Sequence, residues 1–339
     1  MSNIRVSICC LTYNHEKYIR QALDSFLAQE TNFDYEILVH DDCSTDSTPK
    51  ILKEYQKKYP DKVKPIFQKE NQFSKGVDVF KFFYPEIKGD YVAECECDDF
   101  WSDKHKLQKQ FDVLENNPDC DSCVHIVSTC KEDGSFNKQV KPSKKYGLNK
   151  DMILTNDDLA KLLFVQASGK CPFQTSCFFY RKKVIEDSVC KNWSIERRIN
   201  YDINRSKSFL LFGNTYYINE SLSTYRVDSD SSLSNASKKD PSLRTGEMNN
   251  LLLEDIKFDK YTNGKYHEYL MIEIYKYLLY AKENDINVKE NKEISKEYGF
   301  NSLDMYRYLG IKRTILHIFR NTKLLSKYVE MKESKDNQD

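Results

Sequence analysis

Glu96, Asp98 and Asp99 crowd into four consecutive positions at the end of an apolar run, Tyr91-Val92-Ala93-Glu94-Cys95, and an aromatic pair, Phe100-Trp101, follows them. Carboxylates this close repel one another unless a cation, an arginine or a proton intervenes. A divalent ion such as Mn²⁺ or Mg²⁺, held by one or two carboxylates together with substrate phosphates, meets that need. A solvated acidic loop is the alternative. A second acidic cluster favours the first reading. Tyr35-Glu36-Ile37-Leu38-Val39-His40 reads as a buried strand running into Asp41-Asp42, with a helix opening near Ser47-Thr48-Pro49. Two strand ends loaded with aspartate, each followed by a helix, fit the place where open α/β sheets collect ligands.

These segments together resemble glycosyltransferase family 2. The resemblance begins at Val6-Ser7-Ile8-Cys9-Cys10-Leu11-Thr12-Tyr13-Asn14 and passes through Asp41-Asp42. It continues in Lys88-Gly89-Asp90-Tyr91-Val92-Ala93, Glu96-Cys97-Asp98-Asp99 and Lys106-Leu107-Gln108-Lys109-Gln110, covering about the first 230 residues. It implies a GT-A fold, an α/β architecture with a Rossmann-like, mostly parallel sheet flanked by helices. It also implies inverting transfer of a sugar from a nucleotide-diphosphate donor, UDP-linked by expectation, to a saccharide acceptor, lipid-linked by expectation, in surface polysaccharide or glycoconjugate assembly. The Gln-x-x-Arg-Trp signature of polymerising relatives is absent, so a single addition is expected.

The same resemblance assigns roles. Asp98 would ligate the metal. Glu96 stands where the family usually has the first Asp of Asp-x-Asp, so its longer side chain would reach the metal, a ligand water or the ribose. Asp99 and Trp101 would serve the acceptor side or support the turn. Asp42, or Asp41, would accept the ring N–H that uracil or thymine offers and cytosine does not; helix capping by Asp46 beside solvated aspartates is the competing reading. Thr12, Tyr13 and Asn14 would border the nucleotide, although Tyr13 also suits a core. Arg226 would meet a phosphate or pair with Asp230. Asp202, with Gly213 eleven residues on and a strand from Thr215 to the Tyr225-Arg226 pair, would be the catalytic base. An aspartate placed only to favour a helix N-terminus is its alternative. Asp228 replaces a His common in the family, which puts a His ligand in doubt.

The elements that must carry these residues are legible in outline. Strands are expected at Val6–Leu11, Tyr35–Val39 and Val63–Phe67, with helices near His15–Gln29 and Pro49–Tyr59; alternation of this kind implies a parallel sheet. A further amphipathic helix over Lys104–Asn116 should end at Pro118. Residues 131–150 are polar without apolar period and read as a mobile loop. Thr155 and its neighbours should cap a short helix, Thr175–Arg181 should be a strand, and Trp193–Phe212 largely helix. A Ser-, Asn- and Lys-rich stretch from Asp228 to Pro241 suggests a linker, dividing a transferase domain, 1–230, from a helical C-terminal region, 231–339.

Composition limits the alternatives. Lys plus Arg and Asp plus Glu both number 52 in 339 residues, so no general attraction to nucleic acid is expected. No apolar run approaches the roughly 18 residues of a membrane span, and Met1-Ser2-Asn3-Ile4 has no signal-peptide pattern, so a cytoplasmic protein is expected. The eleven cysteines, several in apolar runs, read as free buried thiols. Cys120, Cys123, His125 and Cys130 make a weak zinc candidate, because strand alternation would separate them. From Tyr306 to Tyr328, basic residues interleave with apolar ones, a pattern suited to an anionic membrane surface or to a helix packed on the protein's own core. A nucleotidyltransferase would want a Gly-rich phosphate loop where Thr12-Tyr13-Asn14-His15 stands. A binding module without turnover is the remaining alternative.

Overall fold

The computed structural model describes residues 4–167, 171–186, 201–227 and 241–283. Asp228 and the linker it opens, the stretch from Trp193 to Asn200, and the basic tail from Tyr306 to Tyr328 lie outside the described residues.

The first half alternates strand and helix: β1 (Ile4–Thr12), α1 (Ile19–Leu27), β2 (Asp34–Asp41), α2 (Thr48–Lys58), β3 (Val63–Phe67) and β4 (Tyr91–Glu96). β2 and β4 flank β1 and β3 lies outside β2, all parallel. The chain then runs through β5 (Phe100–Trp101), α3 (Lys106–Asn116), β6 (Cys120–Cys130), β7 (Phe136–Lys141), β8 (Met152–Leu154), α4 (Asn156–Ala160), β9 (Phe179–Arg181), α5 (Lys183–Glu186), α6 (Tyr201–Phe209) and β10 (Asn214–Arg226). Among the described residues the sheet order is β3-β2-β1-β4-β9-β6-β10-β5, with β7 beside β6 and β8 beside β10. β9 is antiparallel to both β4 and β6 and joins the two halves. Two helices follow, α7 (Pro241–Tyr261) and α8 (His267–Glu283). The chain separates into two compact units, Met1–Glu254 and Asp255–Asp339, so the division falls inside α7.

Periodicity explains the packing. Ile19, Ala22, Leu23 and Phe26 form the buried stripe of α1, and Val6, Ile8 and Cys10 of β1 and Ile37 and Val39 of β2 belong to the same core. Full burial of each large apolar side chain contributes about 1.5–3 kcal/mol. The turn into β4 presses against β1 so closely that a Cβ on Gly89 would lie 2.6 Å from the Ser7 nitrogen, and Ser7 Oγ accepts from the Gly89 N–H at 2.9 Å. Only glycine admits that approach.

Three expectations change. The strand expected over Thr175–Arg181 is confined to Phe179–Arg181, because Thr175–Cys177 forms a short helical turn. Residues 131–150 are not a featureless loop: β7 pairs antiparallel with β6 across a turn at Gly134, whose φ is +84°. The Lys131 N–H bonds the Ser135 carbonyl and Asp133 accepts from Ser135. Asp133-Gly134 was the turn signal; the polar face of β7 hid the strand. The free-thiol reading fails at one pair, since Cys10 and Cys97 form a disulfide. They lie on neighbouring strand ends, where the Cys97 N–H also bonds the Leu11 carbonyl at 2.9 Å. Cys9, Cys95, Cys120, Cys123, Cys130 and Cys177 are free and buried. Cys120 and Cys123 stand three apart on β6, across a register irregularity, and both pack into the hydrophobic core.

Candidate active site

Three strand ends form the floor. Thr12 at the end of β1 is the register partner of Asp41 at the end of β2, and Leu11 is that of Glu96 at the end of β4. The two acidic turns therefore flank β1. At the β2 end, Asp42 Oδ1 and Oδ2 accept the backbone N–H groups of Gln72 and Phe73 at 2.8 and 2.9 Å, which fixes the segment after β3. Asp41 is the aspartate with spare capacity: its Oδ1 is buried with no hydrogen-bond partner, as is the Thr12 hydroxyl. Burial pushes the Asp41 carboxyl above its ordinary range. Chain connectivity thus spends Asp42 on a neighbouring loop and leaves Asp41 Oδ1 without a partner.

Asn14 is tied into the loops by its amide oxygen and its backbone N–H. In the left-handed region at φ 56°, it accepts from the Thr45 N–H at 2.8 Å, and its own N–H bonds Ser44 Oγ at 2.8 Å. It staples the β1 and β2 loops together. Tyr13, 42% exposed, sits above them as an open aromatic face rather than in the core. α2 is capped from outside its own N-cap residue: Asp46 accepts the Thr48 N–H and Glu16 the Ser47 N–H, each at 2.9 Å.

At the β4 end, Glu96 and Asp98 are half-buried while Asp99 is 1% exposed. Asp99 Oδ1 accepts the Arg226 N–H at 2.9 Å, and its Oδ2 is buried without a hydrogen-bond partner. Loss of water and the charges of Asp98, Asp202 and Glu94 push Glu96 well above the usual carboxylate range, with Lys141 opposing. Asp99 is pushed the same way by burial, then by Asp98 and Glu96.

Arg226 and Trp101 take structural parts in place of those expected. The Arg226 guanidinium donates to the carbonyls of Asp98, Lys131 and Glu132 at 3.0, 3.2 and 2.9 Å and to Gln21 Oε1 at 2.8 Å, and it stacks on Tyr18. A phosphate would have to compete with those bonds. Trp101 is 4% exposed and packs edge-on to Phe26 with centroids 4.6 Å apart. Its strand, β5, pairs with β10, and the indole lies in the core.

Asp202 enters from the first turn of α6 and accepts a short hydrogen bond from Thr175 Oγ1. Burial raises its pKa to about 6, Glu94 adds to the rise, and the Thr175 bond and Lys141 oppose it. With its amide oriented to satisfy both ends, Gln174 donates to Asp202 Oδ2 and accepts from Lys141 Nζ, each at 3.3 Å. Lys141 Nζ also lies 4.7 Å from the centre of the Tyr225 ring. One step behind the acidic turn, Glu94 on β4 pairs with Arg205 on α6 at 2.8 Å and accepts from Tyr180, which ties the helix bearing Asp202 to the strand bearing Glu96.

Asp202 and the acidic turn, about a hundred residues apart in sequence, therefore share one electrostatic environment. Lys141, Gln174, Thr175 and Arg205 are the residues around Asp202 that sequence reading did not single out. The Asp133-Gly134 turn could have revealed the strand that delivers Lys141. Nothing local marks Gln174 or Thr175, whose places depend on the fold.

Among the described residues, no three His, Cys, Asp or Glu side chains converge as a ligand set. The all-oxygen donors Glu96 and Asp98, mutually repelling and flanked by the unsatisfied Asp99 Oδ2, nevertheless suit a divalent cation that takes its remaining ligands from a substrate.

A parallel half-sheet with acidic turns at its carboxyl edge, extended through the antiparallel β9 to further strands and joined by a helix that carries another aspartate, defines the GT-A class of α/β protein. The solved structure of S. aureus TarS 1-349 in complex with UDP-GlcNAc shares this fold, with a TM-score of 0.62, 16% identity, and coverage of 99% of this chain and 93% of that one. Residues 7–189 match Glycosyl transferase family 2, and the chain belongs to that family. It is 36% identical over 189 residues to an uncharacterized protein of Mycobacterium tuberculosis, covering 55% of this chain and 50% of that protein. It is 29% identical over 231 residues to an uncharacterized glycosyltransferase of Methanocaldococcus jannaschii, covering 62% and 77%. A dTDP-rhamnosyl transferase, RfbG of Shigella flexneri, is 36% identical over 116 residues, covering 32% of this chain and 38% of that protein. The chain spans about half the length of the first of these relatives. No helix among the described residues is long and apolar enough to cross a membrane.

Proposed function

We propose that this chain is an inverting, non-processive glycosyltransferase that moves one sugar from a uracil- or thymine-containing nucleoside-diphosphate sugar to a hydroxyl of a saccharide acceptor. A lipid-linked acceptor in surface polysaccharide assembly at the cytoplasmic membrane face is the context we favour. The single observation that carries the reading is the placement of Asp202, held by Thr175, on the helix that Arg205 ties to Glu94 of β4, the strand that runs into Glu96, Asp98 and Asp99.

In this reading Asp41 Oδ1 accepts the ring N–H of the base and Thr12 Oγ donates to a ring carbonyl, a pattern that cytosine, lacking the N–H, does not meet. Tyr13 covers the base. Glu96 and Asp98 would hold Mn²⁺ or Mg²⁺, which would supply Lewis-acid neutralisation of the leaving diphosphate. Asp202 takes the proton of the attacking hydroxyl from the face opposite the departing diphosphate. Thr175 and Gln174 aim its two oxygens, and Lys141 holds it ionised near neutral pH. Asp99 and Arg226 keep the turn in shape.

Calorimetric titration with UDP, GDP, CDP and dTDP, each with Mn²⁺ or Mg²⁺ and again with EDTA, tests the proposal. Metal-dependent binding of UDP or dTDP, with CDP excluded, is the expected result. Absence of binding to all four removes it.

A further inference from the structure

The Lys106-Leu107-Gln108-Lys109-Gln110 segment marks the resemblance in sequence, yet none of its residues reaches the site just described. Lys106 is 0% exposed. Its ammonium lies 4.0 Å from the centre of the Trp101 ring and donates to Gln110 Oε1 at 2.7 Å. No carboxylate pairs with it among the described residues. The titratable groups facing it are Cys95 of β4, Cys123 and His125 of β6, and Cys177 of the turn before β9. All are held neutral, since burial pushes the thiols up and the imidazole well down. A buried ammonium without an anion is a net cost to folding, so its packing alone gives no reason for a lysine here.

Its contacts supply one. Trp101 lies two residues after Asp99, and Gln110 Nε2 donates to the carbonyls of Cys177 and Cys123 at 3.0 and 3.4 Å. Cys177 closes the short helical turn Thr175–Cys177, whose first residue bonds Asp202. A single buried cation therefore grips the acidic turn through the indole face and, through Gln110, the turn that aims the base.

We propose that Lys106 is a positioning residue for glycosyl transfer: its charged form holds the acidic turn and the Thr175–Cys177 turn in register, so that the diphosphate subsite and Asp202 face one reacting centre. This rests on the transferase reading above. Burial lowers the Lys106 pKa to about 8, so the grip should loosen just above neutral pH. The sign for stability is opposite. A lysine whose folded pKa lies below its unfolded value binds fewer protons when folded, and stability rises with pH between about 8 and 10.

The test uses the full chain, with UDP and Mn²⁺ as calorimetric probe and UDP release from UDP-GlcNAc as turnover readout. In wild type, affinity and turnover should fall from pH 7 to 9, and because the buried thiols lose stability over the same range in both proteins, the melting temperature of wild type should rise only relative to that of Lys106→Met. Lys106→Met should bind UDP with Mn²⁺ about tenfold or more weakly at pH 7, melt no lower than wild type, and lack the alkaline fall. Lys106→Arg, which keeps a cation over the indole, should recover part of the affinity. Wild-type affinity and an unchanged pH profile in Lys106→Met overturn the inference. So does a loss of affinity matched by a lower melting temperature, which marks a merely structural lysine. Should wild type bind none of UDP, GDP, CDP and dTDP with Mn²⁺ or Mg²⁺, the transferase reading fails and this inference with it; should it bind dTDP in place of UDP, that diphosphate becomes the probe; a wild-type-like variant of a binding-competent protein removes the inference alone.

Discussion

Replacing Asp202 by Asn separates catalysis from stability in opposite directions. The folded pKa of about 6 leaves the carboxyl about nine-tenths ionised at pH 7 and about one-tenth ionised at pH 5. If its carboxylate takes the acceptor proton, kcat falls about tenfold between those values, whereas an aspartate at its ordinary pKa near 3.8 would lose less than about a tenth. The stability contribution has the reverse sense. A folded pKa raised above the unfolded one contributes stability that is complete below about pH 4 and lost as pH rises through about 6. At pH 7 the ionised group then costs on the order of 1–3 kcal/mol, discounted for its partial exposure. Asn keeps the bond from Thr175 and carries no charge. The variant should therefore melt higher than wild type at pH 7 and equal it at pH 4, while losing a factor of about 10²–10⁴ in kcat. Nucleoside-diphosphate release against pH from 4.5 to 8, with thermal melts in the same buffers, measures both. An Asp202→Asn protein within about threefold of wild-type rate, or a wild-type acid limb centred near pH 4, would refute the assignment of the base.

Three further outcomes follow from the geometry. Asp98→Asn should abolish the part of diphosphate binding that EDTA removes, leaving the fold intact by circular dichroism. Asp41→Asn and Asp42→Asn should diverge: the first weakens uracil-nucleotide binding by about tenfold or more with little change in melting temperature, whereas the second, which loses acceptors for two backbone N–H groups, lowers stability by about 1–3 kcal/mol. Arg226→Met strands the carbonyls of Asp98, Lys131 and Glu132 and should cost about 2–4 kcal/mol in chemical denaturation, with nucleotide affinity falling only as the turn loosens.

Local patterns alone determined a good part of this protein. The buried stripe of α1 is written as Ile19, Leu23 and Phe26 at helical spacing, and the ends of β2 and β4 are marked by aspartates that no apolar strand interior would hold. Strand and helix order in the first hundred residues follows from those signals, because amphipathic period and turn chemistry act over a few residues. Asp202 stood out only through the resemblance to family 2, in its spacing to Gly213 and the Tyr225-Arg226 pair, and no local pattern by itself marks it.

Only the tertiary structure decided which polar groups are already spent. Asp41 and Asp42 are chemically identical in sequence, but the segment at Gln72 and Phe73 returns to occupy one of them and leaves the other. Arg226 looks like a phosphate ligand until the carbonyls of Asp98, Lys131 and Glu132 surround it, and Trp101 looks available until β5 pairs with β10. Lys106 reads as one more helix-surface lysine, and only the convergence of β4, β6 and α3 buries it. Hydrogen-bond partners, burial and the pKa shifts they cause depend on segments far apart in the chain, and no local pattern of residues encodes which of them will meet.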